Sequence, residues 1–209
     1  MPNGKQVVSS LDRVLRWIMN LAAINILWFV YSLRGLIVGG VFPATVAALG
    51  VSRKLIIGEE IKIWKTYKNI YLQEFRSANI LGWILTFVGT LLYLNYRVIA
   101  NASGELLFVI PFAFYFILFF YFIIVLWSFP LLAHYKSTLF KYIQNAVIIG
   151  LTKIHYTFAS GVLVFTVIYI SLDFPGLIPF FSISIAAIGC MWISMQIFGQ
   201  LDKRASFDS

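Results

Sequence analysis

Charged side chains make up only 11% of the 209 residues, and that scarcity excludes more than any motif the chain contains. A soluble domain carries about 25% charged residues, enough polar surface to hold it in water. Here 61% of residues are hydrophobic and the mean hydropathy is +0.89. One core cannot hide so much apolar surface, so lipid has to act as its solvent. Reactive and metal-binding residues are equally few. A lone cysteine, Cys190, lies inside an apolar run. It can form neither an intramolecular disulfide nor a multi-cysteine metal site, and it reads as a small buried apolar residue. The two histidines, His134 and His155, have no acidic neighbour at helical spacing. No His-Glu-x-x-His helix, Walker phosphate loop or nucleophile elbow occurs. The sequence therefore predicts no enzyme activity, no cofactor and no metal.

Basic residues number 16 against 8 acidic, for a formal charge of +8. Nucleic-acid binding would gather them on a polar surface. They sit instead in short stretches between apolar runs, where topology signals lie. The expected partner is a lipid bilayer, with no nucleic acid.

What fills the chain is a series of apolar runs: 17–33, 35–51, 79–99, 106–133, 156–172 and 177–198. They predict one all-α domain, a polytopic membrane helix bundle of about six transmembrane segments. Lys5, Arg13 and Arg16 precede the first run as in a signal peptide. No small-residue cleavage site and polar mature domain follow, so an uncleaved first helix is expected. The second run carries Gly39, Gly40 and Pro43. It reads first as the return limb of a tight hairpin, and second as a re-entrant segment, because these residues weaken a straight helix.

Two stretches, 52–78 and 134–155, are semi-polar. In the first, Ile57, Ile61, Trp64, Tyr67, Tyr71 and Phe75 recur at spacings of three and four, with Lys62, Lys65 and Arg76 elsewhere. In the second, Phe140, Ile143, Val147, Leu151 and Ile154 form a stripe. Both are expected to lie in the cytoplasmic interface, or to offer a partner a docking face. With a cytoplasmic N-terminus, every basic residue except Arg34 and Arg97 falls on the cytoplasmic side. That asymmetry predicts an even number of crossings and both termini inside, with reporters at Ser103 and Gly176 reading outside.

Arg34, Arg97, Glu105 and Asp173 fall at predicted span ends and read as interfacial anchors, which argues against an ion-coupled transporter. Asn101-Ala-Ser103 matches a glycosylation sequon. Polar residues within spans, among them Asn20, Asn25, Thr45, Thr86, Thr90, Asn95, Ser160, Ser182 and Ser184, are expected to bond between helices. Gly39, Gly40, Ala47 and Ala48 suggest a close helix contact. The halves are loosely alike, each pairing a semi-polar stretch with a Gly-containing span, without a residue-level repeat.

Asn25-Ile-Leu-Trp28, then Phe42-Pro-Ala-Thr45, then Arg53-Lys54 and Gly58, resemble the YesL-like family of small bacterial membrane proteins. Trp64 and Phe75 before Asn79 and Gly82, and Phe129-Pro-Leu-Leu132 before a Lys-bearing stretch with Asn145, extend the resemblance along nearly the whole chain. It implies a multi-pass protein of the bacterial cytoplasmic membrane, without catalytic or ligand residues to carry over. It also implies a setting beside carbohydrate ABC importers and polysaccharide-degrading enzymes, notably for pectins.

The chain lacks the Glu-Ala-Ala…Gly loop with which importer permeases grip their ATPase. The expected function is therefore a non-enzymatic accessory or regulatory subunit beside importer permease subunits. Phe42, Pro43, Thr45, Arg53, Trp64, Tyr67, Tyr71 and Phe75 are the expected partner contacts. Two alternatives are an independent small-solute transporter or channel, with a polar cavity lined by Asn25, Thr45, Asn79 and Asn95, and a membrane signalling or scaffold protein.

Overall fold

Backbone away from water must satisfy its N–H and C=O groups within its own segment, so each long apolar run winds into a helix. The structure, a computed structural model, describes residues 4–100 and 109–207. They contain helices α1 (Gly4–Arg34), α2 (Val41–Ile56), α3 (Ile63–Ala100), α4 (Val109–His134), α5 (Leu139–Thr152), α6 (Ile154–Asp173) and α7 (Ile183–Phe207). Among the described residues there is no strand. Five stretches are long and apolar enough to cross a bilayer: Ser10–Arg34, Ile63–Ala100, Ile110–His134, Ile154–Asp173 and Pro175–Leu201. The chain is a multi-pass helical bundle. The sequon at Asn101, Ser103 and Glu105 lie outside the described residues.

The run expected to be a second crossing, 35–51, is where the structure departs from six equal spans. Its first six residues form a turn, and α2 has only 16 residues. That is about 24 Å of helix, short of a hydrocarbon layer of about 30 Å. α2 is also sealed by its neighbours: Ala44, Val46, Ala47, Ala48 and Val51 are wholly buried. Small side chains along it let α1, α3, α4 and α7 close around it, so α2 is the central strut of the bundle.

The turn before α2 is tight. Leu36 and Ile37 have φ of 55° and 63°, a left-handed conformation that is costly for bulky residues and most of all for a β-branched one. Gly35 and Gly40 make it possible, because a side chain on Gly35 would overlap the Gly40 backbone and one on Gly40 that of Ser32. Every N–H from Gly35 to Val41 still finds a backbone acceptor.

The stretch 52–78 does not form a separate interfacial helix. α2 continues to Ile56, a loop containing Gly58 at φ 78° reverses the chain, and one helix of 38 residues then runs from Ile63 to Ala100. Nothing in the sequence breaks it between the amphipathic part and the apolar run at 79–99. In the other semi-polar stretch, the loop after α4 is closed by Tyr142. Its hydroxyl accepts the Ser137 N–H at 2.8 Å and donates to the Tyr135 carbonyl at 2.9 Å. Burial raises its pKa above the usual phenol value, so it remains a donor.

α5 buries Tyr142, Ala146, Ile149 and Gly150, whereas Phe140, which begins the expected stripe, is 76% exposed. Smallness decides the face. Ile123 and Trp127 of α4 occupy the space a side chain on Gly150 would need.

Between α6 and α7, where Asp173-Phe-Pro-Gly176 predicts a turn, Pro175–Leu177 form a 3-10 turn and Ile178–Ser182 a π-helical one. A π turn shifts backbone groups out of the α register, and Asn25, wholly buried on α1, answers them. Its Nδ2 donates to the Ile178 carbonyl at 2.8 Å, and its Oδ1 accepts the N–H groups of Ile183 at 2.9 Å and Ser184 at 3.2 Å. Ser171 and Ser182 pair at 2.7 Å beside it. Not every intramembrane polar residue bonds between helices as expected. Thr86, Thr90 and Asn95 donate to carbonyls four residues back in α3, because all three side chains are on exposed positions of α3.

Candidate functional site

Trp64, Tyr67, Tyr71 and Phe75 do share a face of α3, but the fold turns the middle of that face inward. Tyr67 is 0% exposed and donates to the Ala44 carbonyl of α2 at 2.7 Å. Tyr71 donates to the Tyr31 carbonyl, in the last turn of α1, at 3.2 Å. A phenol in an apolar interior needs such an acceptor, and a carbonyl has a second lone pair to offer: that of Tyr31 also accepts the Gly35 N–H. Tyr31 packs between them, its ring centroid 5.4 Å from Tyr67 and 4.8 Å from Tyr71.

The two tyrosines expected to meet a partner are therefore spent inside the chain. Trp64, 61% exposed, and the outer edge of Phe75 remain at the surface. Spacing reveals that residues share a face but not what covers it. Tyr67→Phe, which keeps the ring and loses the bond, should cost about 1 kcal/mol, read as a lower melting temperature in detergent. Trp64→Ala should leave that temperature unchanged.

Phe42, Pro43 and Thr45 open α2. Pro43 lies in the first turn, where its missing N–H costs nothing. Phe42 stacks on Phe129 of α4 at 6.2 Å and meets the edge of Trp83 of α3 at 5.7 Å, over the space left by Gly82. Thr45 Oγ1 donates to the Val41 carbonyl at 2.8 Å and accepts Trp28 Nε1 at 3.0 Å. Pro43 is buried and Phe42 and Thr45 are half-buried, and the latter two fasten α2 to α1, α3 and α4.

Arg53, near the other end of α2, donates from Nη1 to the His134 carbonyl at 3.0 Å, and Nη1 lies 3.4 Å from His134 Nδ1. A cation suits this position, since the C-terminal end of α4 carries partial negative charge. The His134 ring packs 4.7 Å from Phe198 and 4.4 Å from Tyr135, so α2, α4 and α7 meet here. Sequence reasoning missed His134 as the partner of Arg53, because only the fold brings the two together.

Among the described residues, no group of three or more His, Cys, Asp or Glu converges. Nor do Asn25, Thr45, Asn79 and Asn95 line one cavity. Asn79 donates to the Gly39 and Phe75 carbonyls at 2.9 and 2.8 Å, Asn95 bonds within α3, and Asn25 and Thr45 are engaged as described. Two clefts between helices are apolar. One of about 480 Å³ lies between α4 and α6, and one of about 250 Å³ lies among α2, α4, α6 and α7.

Residues 21–96, from α1 through the Phe42–Thr45 and Arg53 segments into α3, match a family model described as a protein of unknown function, DUF624. The chain is 33% identical over 180 residues to the uncharacterized protein YteU of Bacillus subtilis (strain 168), covering 84% of this chain and 81% of that protein. It belongs to the YesL-like family. The uncharacterized protein YesV of the same organism is 27% identical over 188 residues, covering 90% of each chain. The uncharacterized protein YesL is 26% identical over 199 residues, covering 95% of this chain and 94% of its own. No solved structure matches. The matched segment holds the central strut α2 and its contacts with α1 and α3, while the contacts of α2 with α4 and α7 reach beyond it.

Proposed function

We propose that this chain is a non-enzymatic accessory subunit of a carbohydrate ABC importer, packed beside its permease subunits in the bacterial cytoplasmic membrane. The observation that carries the reading is how the polar groups are used. Asn25, Thr45, Tyr67, Tyr71 and Arg53 are all bonded within the chain, and the clefts between helices have apolar walls. A sugar needs hydrogen-bonding partners along its path; the buried side-chain atoms left without one among the described residues are Ser32 Oγ, Arg53 Nε, Asn79 Oδ1 and Ser128 Oγ, and none of these residues lines either cleft. What is left for function is surface. The likeness to the YesL-like family supplies the importer context, with a pectin-derived oligosaccharide as the cargo class that the permease carries.

If α2, though short, returns the chain to the side where α1 began, the five longer stretches and α2 make an even number of passes, and a cytoplasmic location for both termini leaves only Arg34 and Arg97 of the 16 basic residues elsewhere. α1 and α2 then act as a hairpin whose two ends lie on one side. Affinity purification from native membranes tests the proposal. Recovery of permease subunits and their ATPase, in constant ratio to this chain, is the expected result. Recovery of this chain alone in every mild detergent would count against it.

A further inference from the structure

The contact between Arg53 and His134 admits only one protonation state of the imidazole. A guanidinium has N–H donors and no acceptor. Arg53 Nη1 lies 3.0 Å from the His134 carbonyl oxygen and 3.4 Å from His134 Nδ1, and it carries a hydrogen for each. Nδ1 must therefore accept, which leaves the ring neutral with its proton on Nε2. A second proton would set an imidazolium directly against the guanidinium.

The surroundings do not offset that charge. Arg53 Nε is buried without a hydrogen-bond partner, and Arg53 forms no ion pair among the described residues. Lys54, next on α2, is paired with Glu59. After His134 come Tyr135, its ring edge-on to the imidazole, and Lys136, a further cation. Glu74 of α3 interacts electrostatically with Lys136 and with Tyr142 of α5. From α6, Lys153 reaches Gln200 of α7 at 3.5 Å. On α7 it is Phe198 that packs on the imidazole, at 4.7 Å, and residues 191–201 include no titratable side chain. The end of α4 attracts a cation, but two unit charges about 4 Å apart near a protein surface repel several times more strongly.

We propose that Arg53 and His134 form a proton-sensitive latch, closed while His134 is neutral and opened when it takes up a proton, which frees the end of the strut α2 from α4. The closed latch excludes the protonated ring, so opening is coupled to proton uptake and acid favours it. It is whole above the range in which histidines titrate, about pH 5–8, and is lost as the pH falls through that range. Because α2 packs against α1, α3, α4 and α7, release of its end reaches most of the bundle. The latch rests on this pair alone and is independent of the importer reading.

The chain has two histidines, so His155→Gln leaves His134 as the one imidazole to observe. In the full chain in mild detergent at about pH 8, nitrogen NMR should show Nδ1 of His134 without a proton and Nε2 carrying one. Acidification to about pH 5.5 should lower the melting temperature of this His155→Gln protein by about 3–6 °C, a roughly tenfold loss of the folded population. Adding His134→Gln, which keeps an acceptor and cannot take up a proton, should remove most of that fall. Adding Arg53→Gln, which removes the cation and keeps the histidine, should remove or reverse it, because an imidazolium alone suits the end of a helix. The nitrogen spectrum needs neither added variant and decides the matter if one does not fold. A proton on Nδ1 at about pH 8, a melting temperature unmoved by acid, or a fall undiminished in either variant would each overturn the proposal.

Discussion

Asn25→Leu should be among the most damaging single substitutions in the chain. Leucine is close to asparagine in shape, so the loss is almost purely polar. The Ile178 carbonyl and the N–H groups of Ile183 and Ser184 would be left facing apolar surroundings at the π turn. A buried group stripped of its partner costs about 1–3 kcal/mol, though chains unfolded in a membrane environment also find partners, which trims the difference. A combined loss of about 3 kcal/mol lowers the melting temperature by roughly 6–12 °C for a chain of this size. Asn95→Leu is the control, since that amide bonds only to its own helix on an exposed part of α3. It should change stability by about 0.5 kcal/mol or less. Equal effects from the two substitutions would mean that Asn25 does not hold the start of α7.

Gly40→Ala should prevent the α1–α2 hairpin from closing. A methyl at this position would overlap the carbonyl oxygen, carbonyl carbon and Cα of Ser32. Those are backbone atoms of α1 and cannot swing aside as a side chain can. The adjoining left-handed Leu36 and Ile37 already carry strain of order 1–3 kcal/mol each, so the turn has little freedom left to absorb a shift. Overpacking of this kind costs typically 1–3 kcal/mol and more against a rigid neighbour. It should appear as loss of the monodisperse peak in size-exclusion chromatography. Gly199→Ala, where nothing lies within 4 Å, should be neutral, or stabilising by up to about 1 kcal/mol through helix propensity. A well-folded Gly40→Ala protein would show that the hairpin closes in another way.

Membrane residence and an all-helical fold were legible in the sequence because they follow from summed composition, which does not depend on who packs against whom. The end of α6 was legible for a local reason, the Asp173-Phe-Pro-Gly176 cluster. What escaped depends on long-range contact. The run at 35–51 is as apolar as a span, yet its alanines serve close packing, so hydropathy could not separate a lipid-facing helix from the strut α2. Tyr67 and Tyr71 looked like a docking face because periodicity is the same whether lipid, a partner or the chain's own α1 and α2 cover it. On α5 the stripe was expected to face the interface or a partner, and Phe140 at its start is exposed; the opposite, buried face was what the pattern did not reveal. Ala146 and Gly150 weigh little in hydropathy, but they admit Ile123 and Trp127 where Phe140 could not. The Arg53–His134 contact joins residues 81 positions apart, beyond any local signal.

The central claim is that this bundle is sealed to polar solutes and works through its surface. Purified chain reconstituted alone in liposomes loaded with labelled oligosaccharide tests this most directly. The account predicts that the sugar stays inside as it does in protein-free vesicles, with or without an imposed ion gradient. Release of the sugar by this chain alone, in proportion to the protein inserted, would contradict it.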